Sequence, residues 1–263
     1  MKVIYPDNIA TISADEVNIN FPISNVQNDH VKKVWKANSN DAVINMGVSS
    51  GSAVALFGSN ATAVVVKTRI GGLGGQWDAA AQWHDGIGDA GADGAWNVES
   101  LTTESIKFDT LSTGQSALWC DYTDPGVGHT IEITLSSATG TTLEVGVIRA
   151  GTVRDFRDSE YGIREGFVDY SIQEELASGS WYYKKRDIVR TFGLILLEDR
   201  ASDFYTFMHE VALLRGQQPL AWRLSENITD WQWIVYATFD GLPIGNHAYV
   251  NSSLIEINLK EVV

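Results

Sequence analysis

The chain has 263 residues, 44% of them hydrophobic, and a formal charge of −14 at pH 7. That length suits one large β domain or two ordinary ones, with enough apolar residues for a sizeable core. An acidic surface repels phosphate backbones and anionic lipid, which excludes bulk nucleic-acid binding. No stretch approaches the roughly 18 apolar residues of a membrane span, so no membrane insertion is expected.

From the N-terminus, MKVIYPDNIATIS lacks the apolar core of a signal peptide, which points to synthesis and initial residence in a cytoplasm. Val17, Ile19 and Phe21 alternate with Asn18 and Asn20, the pattern of a half-buried strand ended by Pro22. Short strands are expected at Val34, at Ala42 to Met46 and at Ala53 to Phe57, between turn clusters. Val64, Val65 and Val66 suit a strand buried on both faces. Residues 71–94, GGLGGQWDAAAQWHDGIGDAGADG, are glycine-dense and aperiodic, and read as a long loop excursion from a β scaffold. Strands resume at Ser105 to Leu111, Ser116 to Tyr122, Thr130 to Leu135 and Thr142 to Ile148. The sharpest alternation sets Ile131, Ile133 and Leu135 against Glu132, Thr134 and Ser136, and the SSATGTT that follows is a hairpin signal. Spacings of about 8–12 residues between strands indicate a sandwich or barrel.

A mixed-charge stretch from Gly151 to Gly166 marks a module boundary. Beyond it, Phe167 to Glu174 alternates, Ser178-Gly179-Ser180 reads as a hairpin tip, Trp181 to Lys185 as the return strand and Ile188 to Leu197 as a buried one. Ser202 is placed to cap a helix carrying Phe204, Phe207, Met208, Val211 and Leu214, with Gly216 as its stop. Strands follow at Leu220 to Leu224, Trp231 to Phe239 and Asn251 to Leu259. The fold class is therefore mostly β: an N-terminal jelly-roll β-sandwich over 1–153 with a loop insertion at 71–94, and a C-terminal β module over 154–263 with one α-helix near 202–215.

Catalytic signatures are scarce. No G-x-S-x-G elbow is present, and His30, His84, His129, His209 and His247 are scattered. GGLGG at 71–75 is followed by no GK[ST]. Cys120, the single cysteine, reads as a small buried hydrophobe and excludes an intramolecular disulfide. No enzymatic activity is expected. Asp85, Asp89 and Asp93 recur every four residues among glycines; clustered carboxylates on tight loops suit calcium, although calcium loops of the D-x-D-x-D-G type space them by two. Trp77, Trp83 and Trp96 either stack on sugar rings or anchor the loop to its scaffold or to a neighbouring subunit, the anchor being preferred.

Two segments resemble a known family. Residues 22–62, with Asn25, Val26, Asp29, Trp35, Gly47, Ala55, Leu56, Gly58 and Asn60, are similar to the opening of galactose-binding-like (discoidin-type) jelly rolls in tail proteins of long-tailed bacteriophages. The arginine of that pattern is replaced here by Lys32 or Lys33. Residues 178–222, with Gly216 and Pro219, resemble the C-terminal part of the same proteins, while 71–94 has no counterpart there. The resemblance implies a distal tail or baseplate protein in the virion tail tip, forming a homo-oligomeric ring that joins the tail tube to the hub. The competing expectation is a carbohydrate-binding module that recognises the host surface.

Overall fold

The structure is a computed structural model and describes residues 1–16, 18–70, 102–108, 116–126, 128–156, 162–175, 179–199, 204–213, 217–225, 231–246 and 252–263. The chain divides into two compact units. One comprises Ile4–Asn28 and Lys33–Val153; the other comprises Arg154–Val263 together with the short segments Met1–Val3 and Asp29–Lys32.

The N-terminal unit is a β-sandwich. Its strands are β1 (Lys2–Asp7, from Ile4 onward), β2 (Ile9–Ala14), β3 (Trp35–Lys36), β4 (Asp41–Val48), β5 (Ala53–Phe57), β6 (Ala63–Ile70), β7 (Thr102–Phe108), β8 (Ala117–Asp121), β9 (His129–Ser136), β10 (Glu144–Val145) and β11 (Val147–Asp155, to Val153). One sheet has five strands in the order β2, β4, β9, β6, β7; the facing layer runs β1, β11, β5, β8. The chain steps between the layers from β4 to β5 to β6 and from β7 to β8 to β9, while β6 and β7 pair within one sheet. The period-2 pattern explains the packing. Ile131, Ile133 and Leu135 on β9 join Ile44, Met46, Val64 and Val66 inside, against Val54, Leu56, Leu118, Cys120 and Ile148 of the other layer. Trp35 on the short β3 is fully buried in the same core.

Three expectations for this unit are corrected. Residues 18–21 form no strand: Asn18 Oδ1 accepts from the backbone N–H of Asn20 (3.1 Å) and Phe21 (3.3 Å), and Ile19 is 92% exposed. An asparagine side chain that bonds its own downstream backbone offers the chain a turn in place of a ladder. The strand buried on both faces is β5, every residue of which is buried, whereas Val65 on β6 is half-buried. SSATGTT does turn, with Gly140 at φ +82° and Thr141 N–H on Ala138 O (2.9 Å). It makes no hairpin, because β9 pairs with β4 and β6, while β10 pairs with β3 and β11 with β5.

The C-terminal unit contains β12 (Arg164–Asp169), β13 (Ile172–Glu175), β14 (Trp181–Lys184), β15 (Ile188–Asp199), α1 (Phe204–Leu213), β16 (Leu220–Arg223), β17 (Ile234–Phe239), β18 (Ile244–Asn246) and β19 (Ser252–Glu261). Its sheet runs β12, β15, β19, β17, β16, with β18 also on β19. Phe192, Leu194, Leu196, Ile255, Ile257 and Leu259 alternate inward on the paired β15 and β19. Phe207 anchors α1: it is fully buried, and its ring centroid lies 5.1 Å from Phe156, 6.0 Å from Trp222 and 6.4 Å from Phe239. The capping positions Ser202 and Gly216 lie outside the described residues. Arg190 clamps β15 to β19 through a two-pronged contact with Glu261 (2.7 and 2.9 Å). That contact, ahead of the opposing cost of burial, raises the guanidinium's affinity for its proton. Among the described residues, no helix is long and apolar enough to cross a membrane.

Candidate interaction surface

All six site residues expected from the sequence, Trp77, Trp83, Trp96, Asp85, Asp89 and Asp93, lie outside the described residues. Among the described residues, no group of three or more His, Cys, Asp or Glu side chains is placed to hold a metal ion. Of the residues behind the family resemblance, Asn25, Gly58 and Asn60 have structural roles in the N-terminal unit. The buried Asn25 gives its side-chain N–H to Val34 O (2.9 Å). Asn60 donates to Thr142 O and accepts from Glu144 N–H, both at 2.8 Å, pinning the chain that enters β10. Gly58 sits at φ +65°, where a side chain would be strained.

A buried polar pair lies in the sandwich. The hydroxyl of Tyr122 meets His129 Nε2 at 3.0 Å, and the rings stand edge to face at 5.4 Å. Burial, then the negative charge of Asp124, pushes the Tyr122 phenol well above its ordinary range.

Among the described residues, the ribbon formed by β13 and β14 departs from ordinary burial along its whole length. Its entry is set by local chemistry. Ser171 N–H donates to Asp169 Oδ1 (2.8 Å), which ends β12 and turns the chain, and Arg186 N–H donates to Ser171 Oγ (3.0 Å), which closes the base. The Ser171 side chain, then its backbone N–H, holds the Asp169 carboxyl below its usual value. The expected single strand Phe167 to Glu174 is thus two strands, broken at Tyr170 and Ser171. Gly179 at φ +78° serves the return turn. The antiparallel register pairs Ile172 with Lys184, Gln173 with Tyr183, Glu174 with Tyr182 and Glu175 with Trp181.

Every residue of β14 is exposed: Trp181 by 68%, Tyr182 by 48% and Tyr183 by 51%. Trp181 and Tyr183 share one face, Tyr182 and Lys184 the other. Charge along the ribbon is polarised. Glu174 and Glu175 lie toward the turn, and Lys184, Lys185 and Arg186 toward the base. Lys32 forms an ion pair with Asp187 there. Trp181 and Tyr183 on one face and Tyr182 on the other leave aromatic surface exposed on both faces of the ribbon, the kind that marks an interaction surface. Sequence reasoning passed over it, taking Trp181 to Lys185 as an ordinary return strand. The available signal was the uninterrupted Trp-Tyr-Tyr run, which lacks the apolar–polar alternation of a strand resting on a core.

No family model matches the chain, and no curated protein does. Solved structures give distant likenesses. A fucosidase of Ruminococcus gnavus shares 14% identity at a TM-score of 0.39, over 58% of this chain and 28% of its own. A chitosan-binding module from a Paenibacillus chitosanase/glucanase shares 12% at 0.35, over 54% of this chain and 96% of its own. A pectin-binding carbohydrate-binding module shares 13% at 0.34, over 55% and 91%. This chain thus spans little more than a quarter of the fucosidase. Likeness at this level says nothing of what the chain binds.

Proposed function

We propose that this chain is a non-catalytic structural subunit of a bacteriophage tail tip or baseplate, made in the bacterial cytoplasm and carried in the virion. Its galactose-binding-like sandwich acts as scaffold, and it assembles with copies of itself and with tail-tube and hub neighbours. The observation that carries this reading is the exposed aromatic ribbon, Trp181 to Tyr183, within the segment that resembles tail proteins. Aromatic residues are enriched at protein–protein contacts, where they bury large areas at low entropic cost. Closed symmetric assembly is the usual outcome for identical subunits. Sedimentation velocity with negative-stain imaging tests the assembly: a discrete oligomer is expected, and a monomer at every concentration contradicts it. Antibody labelling of virions that carry the gene tests the location, where unlabelled tail ends overturn the tail-tip reading.

A second reading is a carbohydrate-binding module. It is favoured by Trp181 and Tyr183, two residues apart on one exposed strand face, an arrangement on which sugar rings stack. A glycan array tests it: binding that is lost in Trp181→Ala supports the reading, and an empty array removes it.

A further inference from the structure

We propose that β14 is a self-complementary edge that pairs antiparallel with β14 of a second copy of this chain, about a twofold axis at Tyr183. The inference deepens the assembly reading above and rests on it only in taking the ribbon as a protein contact; it does not depend on the tail-tip location. Among the described residues, β14 pairs with β13 and no strand occupies its outer edge, the side on which a further ladder would form. The side chains along that edge are exposed from Trp181 through Arg186.

Geometry restricts the register. Two identical antiparallel edge strands are related by a twofold axis perpendicular to the sheet, which keeps each face on its own side. The paired residue numbers must then sum to an even value. Centring on Tyr183 sets Tyr183 against its own copy, Tyr182 against Lys184 and Trp181 against Lys185. Each ammonium thus comes beside an exposed ring, within the range of cation–π attraction. The same register runs Glu175, Trp181 and the second copy's Lys185 in one row, and Glu174, Tyr182 and its Lys184 in the next. The acidic end of one ribbon therefore lies beside the basic end of the other. This complementarity, on a chain whose formal charge is −14 and whose copies otherwise repel, argues for a second copy as the occupant. Such a contact joins two subunits, or two rings face to face.

The test uses the full chain. Wild-type protein should sediment as a dimer or a higher even-numbered species. Tyr183→Arg, which sets two guanidinium groups on the axis, should raise the dissociation constant at least about thirtyfold, the loss expected of a hot-spot aromatic. Its side chain is exposed, so an unchanged circular dichroism spectrum is expected to separate loss of pairing from loss of fold. Under oxidation Tyr183→Cys should give a disulfide-linked dimer in high yield and Tyr182→Cys little, since Tyr182 faces Lys184 across the axis; the native Cys120 is buried and does not compete. Preferential linking through Tyr182→Cys overturns the register. An oligomer unaffected by Tyr183→Arg overturns the pairing while leaving assembly intact. A wild-type monomer that binds glycan through Trp181 overturns both.

Discussion

Replacing Phe207 with alanine removes the side chain that ties α1 to its sheet. Burying a phenylalanine fully is worth about 1.5–3 kcal/mol by transfer alone. The cavity left by truncation raises the cost to about 3–5 kcal/mol when the surroundings cannot collapse. Collapse is resisted here, because the ring is fully buried and bounded by the three large rings of Phe156, Trp222 and Phe239. Trp222 and Phe239 are themselves locked edge to face at 5.4 Å. A loss of about 4 kcal/mol is expected, nearly a thousandfold in the unfolding equilibrium. With a urea dependence of about 2 kcal/mol per molar, the midpoint falls by about 2 M. Urea unfolding followed by far-UV circular dichroism and tryptophan fluorescence measures it. A shift below about 0.5 M, with helical signal retained, would refute the idea that this one side chain holds α1 in place.

Other substitutions probe the sandwich. Gly151→Ala places a methyl group against the backbone carbonyl of Pro6, which cannot yield as a side chain would, so a loss of about 3 kcal/mol in thermal unfolding is expected. Asn60→Ala removes both hydrogen bonds to the Thr142–Glu144 segment and should cost about 1–2 kcal/mol, read from the same melts. Tyr122 gives a pH dependence. Its folded phenol holds its proton more tightly than the unfolded one, so this contribution is complete below about pH 10 and declines as pH rises through the folded value. Melts across that window should fall more steeply for the native chain than for Tyr122→Phe, and identical slopes would remove Tyr122 as the cause.

The β character was readable wherever one face of a strand rests on a core. Ile131, Ile133 and Leu135 alternate with polar residues, and all three are buried on β9. Phe207 and the helix around it were readable from their 3.6-residue spacing. What escaped was set by local side-chain bonds in one place and by strand partners distant in sequence in another. Asn18 diverted an alternating run into a turn by capturing the N–H groups of Asn20 and Phe21. The SSATGTT turn looked like a hairpin because pattern alone does not reveal that β9 and β11 belong to different layers. The interaction surface escaped for a related reason. Tryptophan in a glycine-rich stretch drew attention to residues 71–94, whereas Trp181 to Lys185 read as an ordinary return strand until its exposure was known.

The ribbon's energetics point the same way as its charge. A lone two-stranded ribbon is marginal in water, because it buries too little apolar surface to offset the ordering of its backbone. In β13 and β14 no residue is fully buried, and Ile172 alone is half-buried. The cross-strand pairs Glu175–Trp181 and Gln173–Tyr183 contribute only about 0.2–1 kcal/mol each. An exposed edge rich in aromatics is also a hazard for uncontrolled pairing, which proteins commonly blunt with lysine. Lys184, Lys185 and Arg186 lie at one end only, and in the register centred on Tyr183 Lys184 and Lys185 would each face an aromatic ring on a copy of the same strand. Charges placed to block all pairing would be spread along the edge. Charges gathered at one end, with acids at the other, reject a parallel neighbour and admit an antiparallel one.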